Sequence, residues 1–376
     1  MTLTRADAVS SGAADPLVAA RWDETANARA CDSLRGWLDS QLLFSEVFRA
    51  RVAGDPQGNW LQGLMRRGGV PKGGRWASLG CGAAGEEILA GRLGLFDSLA
   101  GFDASPASLE LARRKAAEEG LANCAFGLID LDGFSLPTGA YDVVLMNMSL
   151  HHVRELRPAL AAVRRALAPG GALILNEFVG PRQFQYPEAQ LATVRALLAA
   201  LPESLCRDTA NGIVKREYLV WPVELWNEID PSEAVRSDLI LAELERTFEI
   251  AVRVDYGGTL LNLVLENIIH NFDPLDEKDA SILRLLVACE TVLVDSGFLS
   301  SDFTAILARP LAEQREVPPG GFVPPTRLGT DALASPRGAG ATAREIARLE
   351  AELAAMRSSR VWRLAQALRG LLGRRW

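Results

Sequence analysis

Histidine is nearly missing from this chain: three in 376 residues, His151, His152 and His270. So few imidazoles would leave a metal site to carboxylates, and no carboxylate cluster with ligand spacing stands in the sequence. No metal centre is therefore expected. Cysteine is scarce as well. The five, Cys31, Cys81, Cys124, Cys206 and Cys289, are scattered, odd in number and free of any C-x-x-C pair. That pattern disfavours a disulfide framework and fits a reducing compartment. There is no uncharged apolar run of about 18 residues to span a membrane, and no basic-then-apolar opening of the secretory kind. A cytoplasmic protein is the expectation. A basic excess is missing from most of the chain. Net charge is −7, yet residues 341–376 carry eight Arg against three Glu, which leaves −12 on everything before them. An acidic body argues against nucleic acid as a partner, because phosphates call for clustered Lys and Arg.

What the chain does have is a glycine loop, Leu79-Gly80-Cys81-Gly82-Ala83-Ala84-Gly85-Glu86, between an apolar run and a helical segment. Its G-x-G-x-x-G spacing lets the backbone turn tightly and lets a ligand approach without a Cβ in the way. The third glycine is expected to permit close helix–strand packing. NAD, FAD and S-adenosylmethionine can all use such a loop.

Around it the pattern alternates. Strands are expected at Arg75–Leu79, Ser98–Asp103, Cys124–Ile129, Tyr141–Met146 and Ala172–Leu175, with amphipathic helices between them. Ser105-Pro106 reads as an N-cap and first helical residue. Tyr141–Met146 is apolar on both faces, as a central parallel strand should be. Residues 181–246 are mainly helical and aromatic-rich (Phe184, Tyr186, Tyr218, Trp221, Trp226). Phe248–Val254 and Phe303–Ala308 are late strands, suggesting a sheet edge closed by an antiparallel strand. The division is then a leader and helical lead-in at 1–70, a main domain at 71–310 with a cap insertion at about 181–246, a Pro/Gly-rich linker at 311–340 and a basic helical tail at 341–376. The expected class is α/β, a doubly wound and mostly parallel sheet.

Two acids stand where a nucleoside cofactor needs them. Asp103, ending the second strand, can take ribose hydroxyls. Asp130 can meet the adenine amine while Leu131 offers its N–H, with Asp132 a competing choice. Met146 and Asn147 then end the fourth strand, Leu150-His151-His152 follows, and Pro169-Gly170-Gly171 precedes the fifth. In that order these pieces resemble the class I S-adenosylmethionine-dependent methyltransferases. The resemblance implies a Rossmann-like methyltransferase fold with S-adenosylmethionine as cofactor. It would be held by Gly80, Cys81, Gly82, Gly85, Glu86, Asp103, Ala104, Asp130, Leu131 and Asn147.

Methyl transfer is an in-line displacement at a sulfonium carbon. Orientation supplies much of the rate, and a base is needed only for a poorly acidic hydroxyl. His151, His152 and Glu177 are the candidate catalytic groups, with helix-start positioning the alternative for the histidines and loop anchoring for Glu177. A narrower likeness lies in Asn176–Tyr186, Asp255–Leu261, His270-Asn271-Phe272 and Ser358–Leu364. These are similar to methyltransferases of bacterial surface-polysaccharide and glycan assembly. That likeness implies O-methylation of a glycan sugar or its precursor, with Arg182, Tyr186, Tyr256 and His270 as substrate residues.

Two rivals stay open: a nicotinamide-dependent oxidoreductase and a non-catalytic methyltransferase-like binding module. Partners are a glycan or small-molecule acceptor and no nucleic acid. The tail reads as a short coiled coil giving a homodimer, as a basic amphipathic helix docking on the inner membrane face or a complex, or as a solvated helix.

Overall fold

The computed structural model of the chain describes residues 9–10, 23, 36–209 and 211–311. The tail, the linker beyond Leu311 and the leader apart from residues 9–10 and 23 lie outside these residues. Contacts divide the chain into Met1–Thr209 with Val214–Arg315, and Ala210–Ile213 with Glu316–Trp376. The fold below is that of the first unit. In the second, among the described residues, Ile213 N donates to Asn211 Oδ1.

Seven strands form the main sheet: β1 (Arg75–Leu79), β2 (Ser98–Asp103), β3 (Cys124–Leu128), β4 (Tyr141–Asn147), β5 (Leu167–Phe178), β6 (Phe248–Gly257) and β7 (Phe303–Pro310). Their order is β3-β2-β1-β4-β5-β7-β6, and β1 to β5 are mutually parallel. β7 is antiparallel to both β5 and β6. The antiparallel strand is therefore interior, and β6 forms the edge that the late apolar runs were expected to close. Chain direction across the sheet reverses between β1 and β4. In open α/β sheets ligands bind outside the carboxyl ends of the strands at this switch point.

Period-two alternation fills a core on each face. Val143, Leu145, Ala172, Ile174 and Leu307 pack with Trp37, Phe48 and Tyr256 on one side. Val144, Met146, Leu173, Leu175 and Ile306 pack with Leu160 and Leu244 on the other. Burial on both faces explains why these strands are apolar throughout.

Of the helices, α1 (Trp60–Arg67), α2 (Gly85–Arg92), α3 (Pro106–Glu118) and α4 (Leu156–Ala166) fall where the periodicity put them. Ser105 caps α3 as expected, its Oγ accepting from Ser108 N at 3.0 Å. One boundary differs. β5 begins at Leu167, five residues before the expected start, because Leu167 already pairs with Tyr141. The register then slips to Val143–Ala172, so Ala168-Pro169-Gly170-Gly171 bulges out of a strand that continues past it. The cap carries α5 (Glu188–Ala200), α6 (Val223–Ile229) and α7 (Ile240–Glu245). Beyond β6 come α8 (Leu261–Leu265) and α9 (Glu277–Asp295). No helix among the described residues is long and apolar enough to cross a membrane.

Candidate active site

The loop after β1 is held by the strand beside it. Gly80 N and Cys81 N both donate to Phe102 O, at 2.8 and 2.9 Å, and Gly82 N donates to Asp103 Oδ2 at 2.7 Å. These bonds tie the loop to β2. Gly80 has φ +73°, and a Cβ there would lie 2.4 Å from Ser149 Cβ. Its smallness lets the loop after β4 approach. At Gly82 (φ +51°) a Cβ would meet open space, which is where a ligand can come close. Gly85 corrects the expectation of tight helix packing: a Cβ there would also touch nothing.

Asp103 is buried, and its Oδ1 accepts from Ser105 N at 2.9 Å. Burial raises its pKa against the pull of the Ser105, Gly82 and Ala104 amides. Glu86 accepts from Trp60 Nε1 at 2.9 Å, and burial raises its pKa too. The helical lead-in thus reaches the loop. Asp132 Oδ1 accepts from Arg154 N at 2.7 Å and Glu155 N at 3.2 Å. These bonds fix the approach to α4, and Asp130 Oδ1 in turn accepts from Asp132 N at 3.0 Å. Leu131 lies 3.6 Å from the Cβ position of Gly80.

Across the switch point, Leu150–His152 forms a 3-10 turn after β4. Glu177, near the end of β5 and wholly buried, holds it. Its Oε1 accepts from Ser149 N at 2.7 Å and Leu150 N at 2.5 Å, and its Oε2 lies 2.7 Å from His151 Nδ1. All three of these contacts go to the turn, so Glu177 positions His151. Asn147 Oδ1 accepts from Asn176 Nδ2 at 2.9 Å beside it.

The other side of the site comes from the cap. Glu233 Oε1 lies 3.7 Å from His151 Nε2 and is 23% exposed. His152 Nδ1 lies 3.3 Å from Ser232 Oγ, which in turn donates to Asp230 Oδ1 at 2.6 Å. The two imidazole centroids are 4.2 Å apart, and their environments push them in opposite directions. Burial opposes a charge on His151, but Glu177, Glu233 and Asp230 overcome it and raise the pKa. Burial and then the neighbouring His151 lower that of His152. His151, His152 and Glu233 bring one ligand atom each within 4.8 Å of one another, a juxtaposition that the few histidines of the sequence did not suggest.

Aromatic rings roof this centre. Phe178 lies 6.5 Å from His151 and 5.1 Å from Phe184, and Phe184 lies 5.0 Å from Trp226. Tyr186 meets Tyr218 edge-on at 5.5 Å. Tyr186 Oη and Trp226 Nε1 are buried without a hydrogen-bond partner.

The remaining substrate candidates are dispersed. Tyr256 is 1% exposed, packs on Phe48 and Phe303, and donates to Asn176 Oδ1 at 2.7 Å. It is a core residue that steadies Asn176, which corrects its assignment to substrate. His270 lies on the Ile269–Asn271 turn, its Nδ1 3.5 Å from Thr209 Oγ1. Arg182 is exposed on the turn Arg182–Phe184. Sequence reasoning missed Asp230, Ser232 and Glu233. Their only local sign is the acidic Asp230-Pro231-Ser232-Glu233 turn, which carries no hint of the histidines some 80 residues earlier. Glu87 was missed too: it is buried beneath the glycine loop, accepts from Ser78 Oγ at 2.6 Å, and burial pushes its pKa up to about 7.

Comparison with known proteins adds to this geometry. A family described as a methyltransferase domain matches residues 77–171, from β1 to the bulge in β5. The chain is 29% identical over 172 residues to a demethylmenaquinone methyltransferase of Tropheryma whipplei (strain Twist), covering 46% of this chain and 68% of that protein. It is 32% identical over 127 residues to a 2-heptyl-1-hydroxyquinolin-4(1H)-one methyltransferase of Mycobacteroides abscessus, covering 33% and 54%. Among solved structures it is similar to a geranyl diphosphate C-methyltransferase of Streptomyces coelicolor A3(2). That similarity has 14% identity and a TM-score of 0.43, covering 80% of this chain and 100% of that one.

Proposed function

We propose that this S-adenosylmethionine-dependent methyltransferase delivers its methyl group to a hydroxyl oxygen, and that the hydroxyl belongs to a sugar of a bacterial surface glycan or its precursor. The nicotinamide reading that glycine spacing alone allowed is set aside by the family match. One observation carries the hydroxyl assignment: His151, buried at the carboxyl end of β4 and held through Nδ1 by Glu177. A carboxylate on Nδ1 takes that nitrogen's hydrogen and leaves a lone pair on Nε2. Already nucleophilic acceptors need no such group, whereas a sugar hydroxyl does.

In this reading Asp103 and the open side of Gly82 seat the cofactor, whose sulfonium makes a good leaving group. S-adenosylmethionine, when bound, would supply an electrophilic methyl carbon to the hydroxyl oxygen, with the sulfur leaving as the thioether. The hydroxyl proton passes to His151 Nε2, and Glu177 and Glu233 stabilise the imidazolium that forms. The products are the methyl ether and S-adenosylhomocysteine.

Support for a sugar comes from the cap. Aromatic faces at Phe184, Tyr218 and Trp226 stand beside two buried donors in need of acceptors, Tyr186 Oη and Trp226 Nε1. A polyhydroxylated ring can use both. A flat aromatic acceptor is the second reading. It is favoured by the same rings and by the two relatives, a demethylmenaquinone methyltransferase and a 2-heptyl-1-hydroxyquinolin-4(1H)-one methyltransferase. Mass spectrometry of surface glycans and of small-molecule extracts, from strains with and without the gene, separates the two. The proposal expects a glycan sugar to lose one methylene unit in the deletion strain. An unchanged glycan with a demethylated aromatic compound would replace it with the second reading. If neither changes while S-adenosylhomocysteine still binds, the hydroxyl assignment fails as well. The tail's role as a membrane or complex anchor, and homodimer formation, stand as proposals beside it; liposome sedimentation and analytical ultracentrifugation of the full chain against one ending at 340 test them.

A further inference from the structure

We propose that His151, His152 and Glu233 form a zinc-binding site. The ligand set is two imidazoles and one carboxylate, the donors found where a tetrahedral zinc keeps one place for water or substrate. Their ligand atoms already lie within 4.8 Å of one another, with His151 Nε2 and Glu233 Oε1 at 3.7 Å. A tetrahedral zinc sets its ligand atoms about 3.3 Å apart, given bonds of about 2.0 to 2.1 Å. Closing that gap falls to Glu233, which sits on a turn of the cap and is partly exposed.

Hydrogen bonding behind the ligands turns both rings the same way. Glu177 Oε2 accepts at His151 Nδ1, so that ring's lone pair is on Nε2. Ser232 Oγ gives its one hydrogen to Asp230, so it meets His152 Nδ1 as an acceptor and puts the second lone pair on Nε2 as well. A carboxylate or hydroxyl behind a ligating imidazole is the arrangement that fixes its tautomer and strengthens it as a ligand. Charge agrees with this. Glu177, Glu233 and Asp230 put three carboxylates around two rings, a field that suits a divalent cation.

The site rests on this geometry and not on the identity of the acceptor. Its consequence for the proposed reaction is that a zinc-loaded His151 has no lone pair left for a hydroxyl proton, so metal and methyl transfer exclude each other at this ring.

The test uses untagged full-length protein, stripped with EDTA and dialysed, titrated with zinc chloride and separately with S-adenosylhomocysteine by calorimetry. One zinc per chain is expected, with His152→Ala and Glu233→Ala each weakening binding at least about tenfold and His270→Ala leaving it unchanged. Cobalt(II) in place of zinc should give the intense visible band of a tetrahedral site in the wild type and lose it in both ligand variants. Retained S-adenosylhomocysteine binding shows that each variant is folded. A variant that loses it is replaced by His152→Gln or Glu233→Gln. Absence of saturable zinc binding, equal affinity in wild type and variants, or a weak octahedral cobalt spectrum overturns the site and leaves the methyl-transfer reading untouched. Zinc bound as expected by a protein that methylates no hydroxyl would do the opposite.

Discussion

The glycine-loop side of the crevice and the capped side hold their polar groups in different ways. Around the loop several partners are close in sequence, with Gly82 and Asp103 21 residues apart and Ser105 and Asp103 only two, although Trp60 reaches Glu86 across 26 residues and Asp23 reaches Ser105 across 82. Under the cap they come from far along the chain. His152 and Ser232 are 80 residues apart and His151 and Glu233 82, and Tyr186 Oη and Trp226 Nε1 have no hydrogen-bond partner. A cofactor shared by a whole fold can be held by local, self-satisfied turns. An acceptor has to be met by groups left unsatisfied until it arrives, and only long-range packing brings those together.

The sharpest way to break this division is to remove one anchor from each side. His151→Ala should lower the methyl-transfer rate by about 10² to 10⁴ while S-adenosylhomocysteine affinity stays put. Asp103→Ala should abolish that affinity in calorimetry, because it unties Gly82 as well as removing the ribose partner. If both variants lose cofactor binding equally, the two sides are one cooperative site and the comparison fails.

A second contrast lies within the loop itself. Gly80→Ala would place a Cβ 2.4 Å from that of Ser149 at a φ of +73°. Strain of this kind, steric and left-handed together, should cost about 2 to 4 kcal/mol in urea unfolding. Gly85→Ala begins a helix with nothing within 4 Å of the new methyl, so it should leave stability unchanged or raise it by up to about 1 kcal/mol. Equal losses would mean that the Ser149 approach is not what Gly80 is for.

The contrast also says what could be read from the chain alone. Asp103, Ser105-Pro106 and the apolar strand Tyr141–Asn147 were legible because each is a local pattern with a local cause: a strand end, a cap, burial on both faces. Glu177 was seen as a candidate but its role was not, because nothing in Asn176-Glu177-Phe178 says that one oxygen will cap a turn and the other orient a ring. Glu233 was invisible, since a turn acid is ordinary until tertiary packing sets it against an imidazole. Tyr256 misled for the opposite reason. It was carried over from the likeness of Asp255–Leu261, yet it is a buried rung of β6.

Glu87 tests whether the loop side is as self-satisfied as its hydrogen bonds suggest. Its pKa is pushed from 4.5 up to about 7 by burial, so the folded state holds a proton that the unfolded state releases. Stability is then greatest below pH 4.5, falls as pH rises through the interval to about 7, and stays reduced above it. Glu87→Gln keeps an oxygen for Ser78 Oγ and removes the charge. At pH 8 it should stabilise the protein by up to about 3 kcal/mol, with little change at pH 4. Thermal melts at the two pH values read this directly, and a pH-independent difference would count against a buried charge there.

Tyr186→Phe bears on the other side, with the smallest effect. The hydroxyl is 6% exposed with its residue, and burial first, then Tyr218 and nearby carboxylates, hold its pKa well above 10. It stays neutral and buried without an acceptor, which costs about 1 to 3 kcal/mol relative to a satisfied group. If that hydroxyl serves only packing, phenylalanine should stabilise the fold and leave methyl transfer unaltered. If it waits for a hydroxyl or ring oxygen of the acceptor, phenylalanine should still stabilise the free protein but raise KM, with kcat nearly constant. Only the second outcome joins an orphaned donor to recognition, because a packing role would not separate KM from kcat.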